Sequence, residues 1–131
     1  MSDVSVVFHL FWNVFYMEVY LLVLLFVLLV VTHFCLPKRL IDVYYTPPHF
    51  SEWEMQNFSD FPNTFVRTVL FIHLIAWRKS RHKRGMDDVL NDTSVWFQWL
   101  CKIIDSLFFV FIIPVVVFPF VFIGLIVCLF I

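Results

Sequence analysis

Two glycines in 131 residues leave no material for a glycine-rich phosphate loop, a collagen repeat or a flexible linker. Cysteine is nearly as scarce. Cys35, Cys101 and Cys128 are odd in number, lack C-x-x-C spacing and sit in or beside apolar segments, so no disulfide framework is expected. Cys35 and Cys101 fall where each apolar segment should reach one interface, which permits palmitoylation, but a small buried hydrophobe is the preferred reading. Recognisable catalytic spacing is missing too: there is no G-x-S-x-G, Walker-type or Cys–His constellation, so neither an enzyme nor a cofactor is expected. Charge is sparse at 15% of residues, and no Lys or Arg precedes Lys38 or follows Lys102.

What the chain has in abundance is apolar surface. It is 62% hydrophobic with 18 phenylalanines and a mean hydropathy of +0.90, well above the roughly 45–50% apolar content of soluble domains. An all-α membrane protein follows, with two transmembrane helices and an interfacial amphipathic helix between them.

The first span is expected over 19–36, an uncharged run about 27 Å long as a helix, close to the hydrocarbon thickness of about 30 Å. Pro37 stops it, and Lys38 and Arg39 anchor its end at the headgroups. Residues 1–18 are aromatic-rich and interrupted by His9, Asn13 and Glu18; they either extend the helix or lie along the opposite interface. Without a basic leader or a small-residue cleavage site, the segment is expected to be retained.

The second span is expected over 103–131. Its uncharged run from Ser106 to Ile131 is about 39 Å long as a helix, which calls for tilt or a kink at Pro114 or Pro119. Lys102 and Asp105 mark its inner margin. With every basic residue between the spans, the positive-inside rule places 37–102 in the cytosol and both termini outside, as a multi-pass protein for which the plasma membrane is an expected home.

Within 37–102, the stretch from Ile41 to Asn63 mixes prolines, aromatics and acids without a period and reads as an irregular loop. Residues 63–77 then show a broad apolar face, from Phe65, Val66, Val69, Leu70, Ile72, Ala76 and Trp77. The basic cluster 78–84 follows, with Arg78, Lys79, Arg81, Lys83 and Arg84. Together they describe a helix lying greasy side down on the anionic cytoplasmic leaflet, each basic residue contributing about 1 kcal/mol. Lipid headgroups are thus the expected partners of these five residues and of Lys38 and Arg39.

Other motifs carry less. A cytosolic, membrane-tethered "RHKR" is neither a secretory processing site nor a nuclear-localisation signal, and no nucleic-acid partner is expected. The sequons at Asn57 and Asn91 should stay unmodified. His49 and Glu52 form an H-x-x-E pair with nothing to complete a metal site. His9 and His33 lie in or near the first span, where helix contacts or a wet interface are the usual reason for histidine. Glu18 could draw cations to a pore mouth, but a carboxylate snorkelling to water is preferred. Ser80 amid five basic residues is a conceivable phosphorylation site that would weaken lipid contact.

The order of parts adds a resemblance. Pro62 upstream of Phe65-Val66-Arg67 on a helix ending in basic residues, then "IIDSLFF" with Asp105 and Leu107 opening the last span, resembles the third-to-fourth membrane helix region of nicotinic-type pentameric ligand-gated channel subunits. Ser106 stands where that family has arginine. Neither the ligand-binding domain nor the pore-lining helix is present, so the resemblance implies a truncated or accessory subunit of a neurotransmitter-gated ion channel. Such a subunit would act by helix–helix packing with other membrane subunits, without binding transmitter or forming the normal pore alone. The alternatives are a small viroporin-like pore, for which Thr32 and His33 are the available polar residues, and an orphan structural subunit of a larger membrane complex.

Overall fold

The computed structural model describes residues 2–130, and their side chains except at 2–4, 113, 118, 119, 122, 125, 126, 129 and 130. Regular structure among the described residues is entirely helical: α1 (Ser2–Cys35), α2 (Lys38–Tyr44), α3 (Glu52–Asn57), α4 (Thr64–Ala76), α5 (Arg78–Lys83), a 3-10 turn (Asp87–Leu90) and α6 (Val95–Phe130). The chain divides into two units, Met1–Phe26 with Leu107–Ile131, and Val27–Ser106.

The first unit carries most of two helices long and apolar enough to cross a membrane. Their candidate spans are Ser5–Cys35 and Val95–Val117. No glycine or proline interrupts α1, so residues 1–18 extend the helix from Ser2 onward and do not form a separate segment. Near its N-terminus, rings at helical spacing touch edge to face, as Trp12 does with Phe8 and Phe15 at centroid distances of 6.0 and 5.7 Å. The backbone of α6 is helical through Pro114 and Pro119. Only 6% of the most apolar stretch of Ser5–Cys35 is buried, so nearly all its side chains face outward.

The second unit has a core of its own. Phe50, Phe71, Ile75, Met86, Val89, Phe97 and Cys101 are all at most 1% exposed. Segment 41–63, read from sequence as irregular, is partly ordered, because Ser51 and Glu54 form a capping box that starts α3. Phe50, just before that box, packs its ring at a tilt 5.4 Å from Phe71 of α4 and 4.9 Å from Tyr45. Of the residues predicted to form the apolar face of α4, Ile72 is buried, Phe65, Val69, Leu70 and Ala76 are half-buried, and Val66 and Trp77 are exposed. A further side of the helix, with Thr68, Phe71, Leu74 and Ile75, is turned into protein together with Ile72. Each large side chain so covered contributes about 1.5–3 kcal/mol.

Two local features set the site. Trp77 is extended, with φ −108° and ψ 110°, and breaks the helix between α4 and α5. Gly85, at φ 65°, ends α5 in a left-handed turn, with Met86 N–H donating to the Arg81 carbonyl and Gly85 N–H to that of His82, a Schellman arrangement. The basic run is thereby held as one turn of helix against α4.

Candidate functional site: a polar pocket beside α4 and α5

The basic residues of 78–84 have separate roles. Arg81 is 7% exposed, and its Nη1 donates to the Leu74 and Ile75 carbonyls at 3.3 and 2.9 Å, covering acceptors that the end of α4 leaves open. Its charge is spent inside the fold. Arg84 meets Glu54 through two parallel bonds, donates to the His49 carbonyl at 3.0 Å, and lies 4.9 Å from the Phe50 ring centre. The guanidinium holds the Glu54 carboxyl down at about 2. Arg78, Lys79 and Lys83 are exposed, as the headgroup reading needs.

Lys38 and Arg39 open α2. Arg39 pairs with Asp92 at 2.9 Å, and the same carboxylate accepts from the Tyr44 hydroxyl at 2.9 Å. Burial, reinforced by that bond, pushes the Tyr44 phenol up to about 12.

Of the channel-like positions, Pro62 and Val66 are exposed. Phe65 lies 4.4 Å, ring to ring, from His33, and the guanidinium of Arg67 sits 5.2 Å from the Tyr45 ring centre. Leu107 is half-buried. Asp105 is 7% exposed and is the acceptor of a network: the Trp77 indole N–H donates to its Oδ2, and His73 Nδ1 lies 3.1 Å from its Oδ1.

His73 reaches further. Its Nε2 lies 3.1 Å from Ser80 Oγ, so Asp105, His73 and Ser80 form a continuous chain through both ring nitrogens. His73 and Ser80 also line an open pocket of about 380 Å³ with Leu70, Leu74, Lys83 and Arg84. Lys83 makes no ion pair among the described residues. The pocket thus joins an apolar wall, a free cation and a polarised hydroxyl. Sequence reasoning took Ser80 and Asp105 separately and did not single out His73, because the three come from three helices and no short motif links them.

Thr32 and His33, near the end of α1, are engaged internally. Thr32 donates to the Leu28 carbonyl at 2.7 Å. His33 Nδ1 meets Thr68 Oγ1 at 2.7 Å, and since the Thr68 hydroxyl hydrogen goes to the Thr64 carbonyl, the imidazole is the donor. No group of three or more His, Cys, Asp or Glu side chains able to hold a metal occurs among the described residues.

Neither a family model, nor a curated protein, nor a solved structure matches the chain.

Proposed function

We propose that the chain is a two-span membrane subunit that acts by packing its helices against those of other membrane proteins. In this reading 37–102 is cytosolic, both termini are outside, and the exposed Arg78, Lys79, Lys83 and Lys38 meet the anionic leaflet. Segment 63–77 contributes to this surface through its outer residues, such as the half-exposed Val66 and Trp77, while the side carrying Phe71, Leu74 and Ile75 serves the core.

The observation that carries the proposal is Glu18. It stands on α1 about 26 Å from Cys35 along the helix axis, at the outer margin of a core of about 30 Å that ends near Pro37. Its Oε1 is shielded and has no hydrogen-bond partner among the described residues. An apolar helix surface is satisfied by lipid alone, but a carboxylate at the margin of a span calls for a donor, and a neighbouring transmembrane helix is the natural source. Subunits of pentameric ligand-gated channels are the partner class suggested by Pro62, Phe65–Arg67 and Asp105–Leu107; a larger assembly of another kind would fit the spans equally. The pore-forming alternative has less support, since Thr32 and His33 are bonded within the chain.

The test is affinity purification of the tagged full-length chain from its native cells in mild detergent, with mass spectrometry of stoichiometric partners. A membrane protein recovered with the wild type and lost with Glu18→Leu is the expected result. A wild-type chain that purifies as a lone monomer overturns the proposal.

A further inference from the structure

A carboxylate accepts hydrogen bonds and cannot donate them, so His73 Nδ1, 3.1 Å from Asp105 Oδ1, carries the ring hydrogen. In the neutral imidazole Nε2 then offers a lone pair, and the Ser80 hydroxyl, 3.1 Å away, donates to it. The second oxygen of Asp105 is held by the Trp77 indole, and the carboxylate is 7% exposed, so the orienting group is itself fixed. These are the roles of a nucleophile, a base and an orienter, which are recognised by geometry and not by chain order. The hydroxyl opens on a pocket with a leucine wall, Leu70 and Leu74, and a cation, Lys83, that has no ion-pair partner among the described residues.

We propose that Ser80 is a nucleophile that accepts the acyl group of an amphiphilic ester bearing an anionic headgroup, with His73 as its base and Asp105 as a positioning residue. Ser80 Oγ forms a bond to the ester carbonyl carbon while its proton passes to His73 Nε2. The carbon–alkoxide bond breaks, and His73 returns the proton to the departing alkoxide oxygen. Water then adds to the acyl-serine, giving its proton to His73, and the Ser80 oxygen leaves with that proton, releasing a free acid. The leucines accommodate the acyl chain and Lys83 the anionic end. This activity goes beyond the packing role and does not depend on it.

The test uses the full-length chain in detergent micelles with a fluorophosphonate probe, followed by mass spectrometry of the labelled peptides. Ser80 is expected to react about 100-fold or more faster than the exposed Ser59 and Ser94 of the same molecule. His73→Asn should bring Ser80 down to their rate. Asp105→Asn should slow labelling and Asp105→Glu should restore part of it, a rescue that a merely structural carboxylate in so tight a site would not give. Equal labelling of Ser80, Ser59 and Ser94 in the folded wild type overturns the proposal without recourse to any variant. For the substrate class, fatty-acid release from a lysophosphatidate should exceed that from a monoacylglycerol of the same chain, and Lys83→Ala should erase the preference. Equal wild-type rates on the two overturn the anionic assignment.

Discussion

Arg84 and Glu54, 30 residues apart, face each other through two parallel hydrogen bonds, Nη2 to Oε1 at 2.8 Å and Nη1 to Oε2 at 3.1 Å. The pair ties the end of the basic turn to the start of α3, and Glu54 also completes the capping box with Ser51. One carboxylate thus secures two junctions.

That carboxyl sits at about 2 in the folded chain against an ordinary 4.5, held down by Arg84. A depressed carboxyl contributes stability that is fully present above the unfolded value and is lost as pH falls through the folded one. Tryptophan fluorescence of the detergent-solubilised chain on heating should therefore show stability falling between about pH 4.5 and 2. Glu54→Gln should be less stable at neutral pH by about 1–3 kcal/mol, because Arg84 loses its charged partner, and should show a shallower acid slope.

Arg81 behaves as a structural residue although its neighbours in sequence do not. Arg81→Met leaves the Leu74 and Ile75 carbonyls unbonded and should cost about 2–3 kcal/mol in thermal or denaturant unfolding. Arg81→Lys should recover only part of the loss, since an ammonium lacks the planar fork. Arg78→Ala and Lys79→Ala should change stability by about 0.5 kcal/mol at most, while each weakens binding to anionic vesicles by about 1 kcal/mol.

Tyr44 provides an alkaline counterpart. Its phenol is pushed from 10 up to about 12 by burial and by the bond to Asp92, so the neutral form is favoured by folding. The stabilisation is complete below pH 10 and lost as pH rises through about 12. Burial also raises the Tyr45 phenol, so ultraviolet phenolate titration should show both ionising late, and Tyr44→Phe should remove the latest step. Asp92→Asn should move it to lower pH.

The two long apolar helices were legible because length and the absence of charge suffice: an uncharged run before Pro37 and another after Asp105 can be read without tertiary information. The α4 helix was legible too, but not which of its sides the protein covers, since lipid and a neighbouring ring satisfy a greasy stripe equally well. Phe50 supplies the cover, and the Ser51-x-x-Glu54 box beside it was the available signal, hidden among prolines and aromatics that show no period. The polar site was least legible. Asp105 lies 28 residues from Trp77 and 32 from His73, and only tertiary packing brings them together. A run of basic residues normally reads as a solvated face, so the burial of Arg81 beneath α4 had no local sign.

Topology has two built-in reporters. The proposed topology, with 37–102 cytosolic, predicts that neither Asn57 nor Asn91 takes a glycan when the chain is made in the presence of microsomes, while an acceptor sequon placed on an N-terminal extension is modified. Glycans on the native asparagines would overturn the proposed orientation.

The last prediction separates core from membrane along α4. Phe71 is fully buried and packs against Phe50, whereas Val66, five positions earlier, is 42% exposed. Phe71→Ala removes a ring from a packed site and should destabilise the second unit by about 3–5 kcal/mol through lost burial and the cavity left behind. Val66→Ala should leave unfolding within about 0.5 kcal/mol of the wild type. Vesicle binding should respond in the opposite sense: Val66→Ala weakens it, and Phe71→Ala leaves it unchanged at temperatures where the unit remains folded. If Phe71→Ala instead weakened vesicle binding while leaving the unfolding transition unmoved, the Phe71 side of α4 would be in lipid, and the packing of Phe50 against it would have to be abandoned.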